Sequence, residues 1–139
     1  MSIKDEEFTM DAAPTGYPDN NPKTAVGLTK PSFFAIPPTS LIHLGQAMEN
    51  GRKKYGLLNY RDNAVSYSVY HDAMCRHLFA FQDGEEKAAD SGCHHLAHVM
   101  ACCAIVLDAY EHGNLIDDRG TPGQFSEMLA QRTKPLPNA

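Results

Sequence analysis

No stretch of this chain approaches the roughly 20 consecutive apolar residues of a membrane-spanning helix, and its first residues, MSIKDEEFT, lack the apolar segment of a secretory signal. The expected compartment is therefore the cytoplasm. An excess of basic charge is also missing. Twelve Lys and Arg stand against 17 Asp and Glu, and the net charge of −5 argues against a general affinity for nucleic acid or an anionic membrane. Local Lys/Arg clusters or metal ions can still bring in a small anion. No CxxC pair occurs among Cys75, Cys93, Cys102 and Cys103, which weakens any zinc-finger reading. Cys102 and Cys103 would project about 100° apart on a helix, poor geometry for a shared bridge, so reduced and mostly buried thiols are expected. No strand pattern competes with the helical spacing described next.

What is present suits one globular core. Of 139 residues 42% are hydrophobic and 21% charged, the profile of a soluble single-domain protein. Six of the nine prolines (Pro14, Pro18, Pro22, Pro31, Pro37, Pro38) fall in residues 1–38, where regular structure is not expected. Phe33, Phe34 and Ile36 suggest that the end of this segment is an arm laid on a partner subunit. Residues 39–132 read as an all-α domain, and 133–139 as a tail. Thr39 or Ser40 caps a helix to about Lys54, with Leu41, Leu44 and Met48 on one face. A second helix is expected from about Val65 to Phe81, with Val69, Met74, Leu78 and Phe81 inward. A third, capped by Asp90 or Ser91, runs to about His112. It is apolar on nearly every side between Leu96 and Leu107 and should be the central rod. A short last helix covers 124–132.

The third helix opens with three histidines in five positions, His94, His95 and His98. A buried imidazole must find a hydrogen-bond partner or do chemistry. Just before them the loop DGEEKAADSG offers Asp83, Glu85, Glu86 and Asp90. Such a run is either a solvated turn or a source of oxygen ligands for Mg²⁺ or Mn²⁺. The second helix carries Asp72, Arg76 and His77. Asp72 and Arg76 have the spacing of a surface ion pair, while Arg also suits a phosphate. The His71-Asp72 dipeptide raises a second option, an HD-type phosphohydrolase with His43 and Asp108 as further ligands. The one dense positive cluster, GRKKYGLLNYR, supplies Lys53, Lys54 and Arg61 among Tyr55, Asn59 and Tyr60. It is either the basic end of a helix meeting the macrodipole or a pocket for a triphosphate and base.

In order along the chain come Lys54-Tyr55-Gly56, Asn59-Tyr60-Arg61, Tyr70, Asp72, Arg76-His77, Gly84-Glu85, Ser91-Gly92 and His95-Leu96-Ala97-His98. This series resembles the phage dATP/dGTP diphosphohydrolases of the MazZ type, relatives of the MazG-like all-α nucleotide pyrophosphohydrolases. Tyr60 stands where the family pattern has Trp, Ala88 where it has an acid, and the literal EExxE…ExxD string is absent. The resemblance implies a small helical bundle of the MazG-like kind, working as a homo-oligomer (dimer or tetramer) with Mg²⁺ or Mn²⁺. It implies cleavage of dGTP, with dATP as a second substrate, to the monophosphate and pyrophosphate, supplying dGMP for 2-aminoadenine nucleotides of phage DNA in the host cytoplasm.

On this reading Asp72, Glu85, Glu86, Asp90 and His98 are the expected metal ligands, and Glu85, Asp90 and His95 the expected catalytic groups. Lys53, Lys54, Tyr55, Asn59, Tyr60, Arg61, Arg76 and His77 are expected to hold the nucleotide. The alternatives are the HD-type triphosphohydrolase and a non-catalytic nucleotide-binding helical module.

Overall fold

The computed structural model describes residues 15–138. The first fourteen residues of the expected arm and the last residue of the tail lie outside them. The chain divides into two compact units, Met1–Pro38 and Thr39–Ala139.

In the first unit a helix, α1 (Pro22–Gly27), forms where the proline content predicts none. The local reason is legible. Asn21 Oδ1 accepts from Lys23 N at 3.0 Å, and Pro22 takes the first helical position, where its missing N–H costs nothing. Phe33 and Phe34 are exposed.

The second unit is helical except for one small sheet. Its elements are α2 (Pro38–Tyr55), α3 (Asn59–Asp62), β1 (Val65–Ser66), α4 (Tyr67–Gln82), α5 (His95–His112), β2 (Leu115–Ile116) and α6 (Phe125–Arg132). This is the all-α architecture that the spacing predicts. Arg52, Lys53 and Lys54 crowd the last turn of α2, where positive charge complements the helix dipole. Gly56, at φ +100°, then turns the chain by a conformation that an L side chain resists.

The strands are a correction to the strand-free expectation. Val65 pairs with Leu115 and Ser66 with Ile116, in parallel. Two residues are too few to write an alternating pattern into a sequence. The pair joins the start of α4 to the end of α5, so the α4–α5 hairpin is closed at that end. Val65 is the largest fully buried side chain. Asn114 reinforces the closure: its Nδ2 donates to the carbonyl oxygens of Tyr60 (2.8 Å) and Asn63 (3.0 Å), tying α3 to the same place.

The helix starts differ from expectation in three places. α2 begins at Pro38, so Thr39 and Ser40 lie inside it rather than capping it. α4 begins at Tyr67 because Val65 and Ser66 are taken by the sheet, and its cap comes from far along the chain. Asp118 accepts from Ser68 N (2.8 Å) and from Ser68 Oγ (2.5 Å). α5 begins at His95 rather than after Asp90 or Ser91. Residues 88–93 instead close a turn in which Ala88 N donates to the Cys93 carbonyl (2.8 Å) and Gly92 N to the Ala88 carbonyl (2.8 Å). The cap is His94, whose Nδ1 accepts from Leu96 N at 3.0 Å.

α4 and α5 form the main helix pair. Against α5 lies α2, through a core of Ala47, Ala97 and Ala101 with Leu44 and Met48 packed on it. The contact is made mostly by small side chains, and the buried set is small. α5 is not covered on every side: it buries His95, Ala97, Ala101 and Ala109, while Leu107 and Tyr110 are exposed. Val69, Leu78 and Phe81, expected inward on α4, are also exposed, as is Leu41 on α2. Among the described residues α4 has a single extensive helical neighbour, and much of its remaining apolar surface is exposed.

Candidate functional site

The start of α5, the second half of α4, the end of α2 and the 83–94 loop bring five of the expected site residues together: Lys54, His77, Asp90, His95 and His98. Lys54 Nζ lies 3.2 Å from Asp90 Oδ2. That hydrogen bond, and then the ammonium charge, hold the Asp90 carboxyl below its ordinary range. His77 Nδ1 meets His95 Nδ1 at 2.9 Å. On its other side the His77 ring stacks on His98, with centroids 4.4 Å apart and planes 16° from parallel.

His98 is fixed in turn by Ser91, whose Oγ lies 2.7 Å from its Nε2. The same Oγ accepts from Cys93 N at 3.1 Å. Burial, and then the neighbouring imidazoles His98 and His95, push His77 below the ordinary histidine value against the opposing pull of Asp90. Burial likewise lowers His98. His95 is 6% exposed, and its Nε2 is buried without a partner. His94, beyond its capping role, packs its ring on Phe81 (5.1 Å) and edge-on to His43 (5.8 Å).

The other expected residues are spread out. Asp72 lies exposed on α4, and the Asp72–Arg76 pair suggested by their spacing is not among the ion pairs of the described residues. Glu85 and Glu86 are exposed on the loop; their part in its fold is through the backbone, where Glu85 N donates to the Ala80 carbonyl (3.0 Å) and the Glu86 carbonyl accepts from His95 N (2.9 Å). Ala88, where the family pattern has an acid, is buried.

Lys53 and Tyr55 are exposed at the end of α2. Asn59, Tyr60 and Arg61 are carried elsewhere. Asn59 Oδ1 accepts from Asn63 (2.9 Å), and Arg61 grips Asp108 with two hydrogen bonds of 2.7 and 3.1 Å. At the helical rise, Asp108 is about 20 Å along α5 from His95. The turn at Gly56 and the Asn114 clip therefore separate Arg61 from Lys54, which the sequence places close together. Tyr70, whose hydroxyl is pushed up by burial and then by Cys102 and Tyr55, sits between the two ends.

The HD-type constellation does not assemble. His71 lies between Tyr67 Oη (3.1 Å) and Cys75 Sγ (3.5 Å), and Asp108 is taken by Arg61. More generally, among the described residues no group of three or more His, Cys, Asp or Glu is placed to hold a metal ion. Sequence reasoning did not single out the anchoring role of Ser91, the cap at His94, or Asn114. A DSG turn before a histidine run is the only trace of the first, and the other two leave none.

Among the described residues no helix is long and apolar enough to cross a membrane. No curated protein and no solved structure matches the chain. Residues 20–119 match the family described as dATP/dGTP diphosphohydrolase, N-terminal, a span holding the Lys54–Asp90 pair and every histidine of the cluster. The chain belongs to the dATP/dGTP diphosphohydrolase family.

Proposed function

We propose that this chain hydrolyses dGTP, and dATP as a second substrate, between the α and β phosphates. Water attacks the α-phosphorus, the bond from that phosphorus to the bridging oxygen breaks, and the products are the nucleoside monophosphate and pyrophosphate. The observation that carries this reading is the family match over the same residues that the fold gathers around His95. A triphosphate needs its charge met by cations before in-line attack. Lys54 stands at the cluster, with Lys53 in the same last turn of α2 and Arg76 beside His77. His95 is the candidate proton acceptor, and Asp90 is the carboxylate that stands at the cluster. Tyr55 is the aromatic group nearest Lys54 in sequence for the base.

One chain does not present a ready site for Mg²⁺ or Mn²⁺: Asp90 is engaged by Lys54, His98 by Ser91, and Asp72, Glu85 and Glu86 do not converge with them. A divalent ion bound by the nucleotide would supply charge neutralisation at its phosphates, and Lys53, Lys54 and Arg76 would meet the charge that remains. The remaining parts of the proposal are a MazG-like relationship, a homo-oligomer, a phage origin in the host cytoplasm, and supply of dGMP for 2-aminoadenine nucleotides.

Chromatography of dGTP incubated with the protein and Mn²⁺ should show dGMP and pyrophosphate, suppressed by EDTA. Deoxyguanosine with tripolyphosphate would replace this reading with an HD-type triphosphohydrolase. The missing three-donor group favours a second reading, a non-catalytic nucleotide-binding module. Tight dGTP binding by calorimetry without any product would establish it.

A further inference from the structure

The contact between His77 and His95 constrains where protons lie. Two nitrogens 2.9 Å apart share one hydrogen: with none their lone pairs would oppose each other, and with two the hydrogens would collide. With one hydrogen on each ring this leaves two arrangements. If His77 gives the hydrogen from Nδ1, His95 must carry its own on Nε2, a buried N–H with no acceptor. If His95 gives it, the buried Nε2 holds only a lone pair. His77 then carries its hydrogen on Nε2, and that ring is only partly buried, with water at hand. An orphaned buried donor is the rarer and costlier of the two.

We propose that His77 is a positioning residue that holds His95 in the Nδ1–H tautomer, so that His95 Nε2 is a bare acceptor. The rest of the cluster supports this task. His98, stacked on His77 and pinned by Ser91, fixes the plane in which His77 Nδ1 points at its partner. Free imidazole favours no such arrangement by itself; the hydrogen bond at one ring nitrogen decides what the other can do. The consequence for chemistry rests on the hydrolytic reading above. Nε2 takes a proton from the attacking water, and Nδ1–H to His77 steadies the charge that the ring acquires.

The test uses the full chain labelled with ¹⁵N-histidine and two-bond ¹H–¹⁵N spectra, without nucleotide. The unsubstituted protein should show His95 protonated at Nδ1 and bare at Nε2. His77→Asn offers a carbonyl oxygen to His95 Nδ1–H and should preserve that pattern. His77→Phe keeps a ring on His98 but has no acceptor, and should move the hydrogen to Nε2. In dGTP hydrolysis His77→Phe should lower kcat about 100-fold, the scale of a lost proton-transfer group, with KM within about twofold. His77→Asn should retain most of kcat. A His95 with its hydrogen on Nε2 in the unsubstituted protein, an unchanged tautomer in His77→Phe, or a more active Phe than Asn variant would overturn the proposal. Should the protein hydrolyse no dGTP at all, the hydrolytic reading fails and the spectra alone decide the positioning.

Discussion

Asp118 shows how a single side chain reaches across the fold. Lying just past β2, it receives both the backbone and side-chain hydrogens of Ser68 and so does the work of a helix cap for α4. Those bonds favour the ionised form and hold its carboxyl below the ordinary aspartate value, against the opposing charge of Asp117. A carboxyl whose folded value is depressed contributes stability above its unfolded pKa of about 3.9, and loses that contribution as pH falls through the folded value. Asp118→Ala should therefore lower the melting temperature by a few degrees at neutral pH. The gap to the parent should narrow in scans taken progressively below about pH 4. A gap that is constant across that range would show that the carboxylate is not what caps α4. At this scale the sequence was partly legible. The histidines, Asp90 and Lys54 are grouped as their types suggest, because helix starts and ends put them there. Asp118 and Asn114 were hidden, since each bonds to partners some 50 positions away.

Among the elements, α2, α4 and α5 follow the helical spacing of the sequence, and their ends do not. His94 is outside the usual set of capping residues, so nothing marked it as the start of α5. α5 meets α2 through a stripe of alanines, with Ala97 at 1% and Ala101 at 7% exposure. The stripe makes the approach of α2 sensitive to volume, and α2 is the element that brings Lys54 to Asp90. Ala97→Leu should cost about 1–3 kcal/mol by overpacking, measured by urea titration. The same variant should weaken dGTP binding by displacing the end of α2. A neutral effect on both would mean that α2 is not held by this stripe. The two halves of GRKKYGLLNYR are parted for a reason of geometry: after the turn at Gly56, Lys54 is left at Asp90 in the loop before α5 and Arg61 reaches Asp108 near the end of α5.

For the molecule as a whole, the buried apolar set among the described residues of the second unit is five alanines, one cysteine and one valine, while Val69, Phe79, Leu107, Tyr110 and Phe125 are open. Leu107 and Tyr110 border a groove of ≈350 Å³ with Tyr67, Val106 and Leu115. A unit of this length with so small a core leaves much apolar surface for association. In the proposed homo-oligomer this is where a second copy packs. Light scattering should give the mass of a dimer or tetramer, and Leu107→Glu should reduce it to that of one chain. A parent that is already monomeric at high concentration would remove the oligomer from the proposal. The helical pattern of α5 shows how apolar the rod is, but not that this chain leaves Leu107 and Tyr110 open.

The two-residue clasp of Val65–Ser66 with Leu115–Ile116 makes the ends of the α4–α5 hairpin unequal. At the clasped end neither rod can fray without parting the other's anchor. At the opposite end the rods are joined through the 83–94 loop, held by main-chain bonds and by the contacts of the imidazoles with one another and with Ser91. An incoming partner that parts those imidazole contacts reaches the sealed nitrogen without disturbing the clasp.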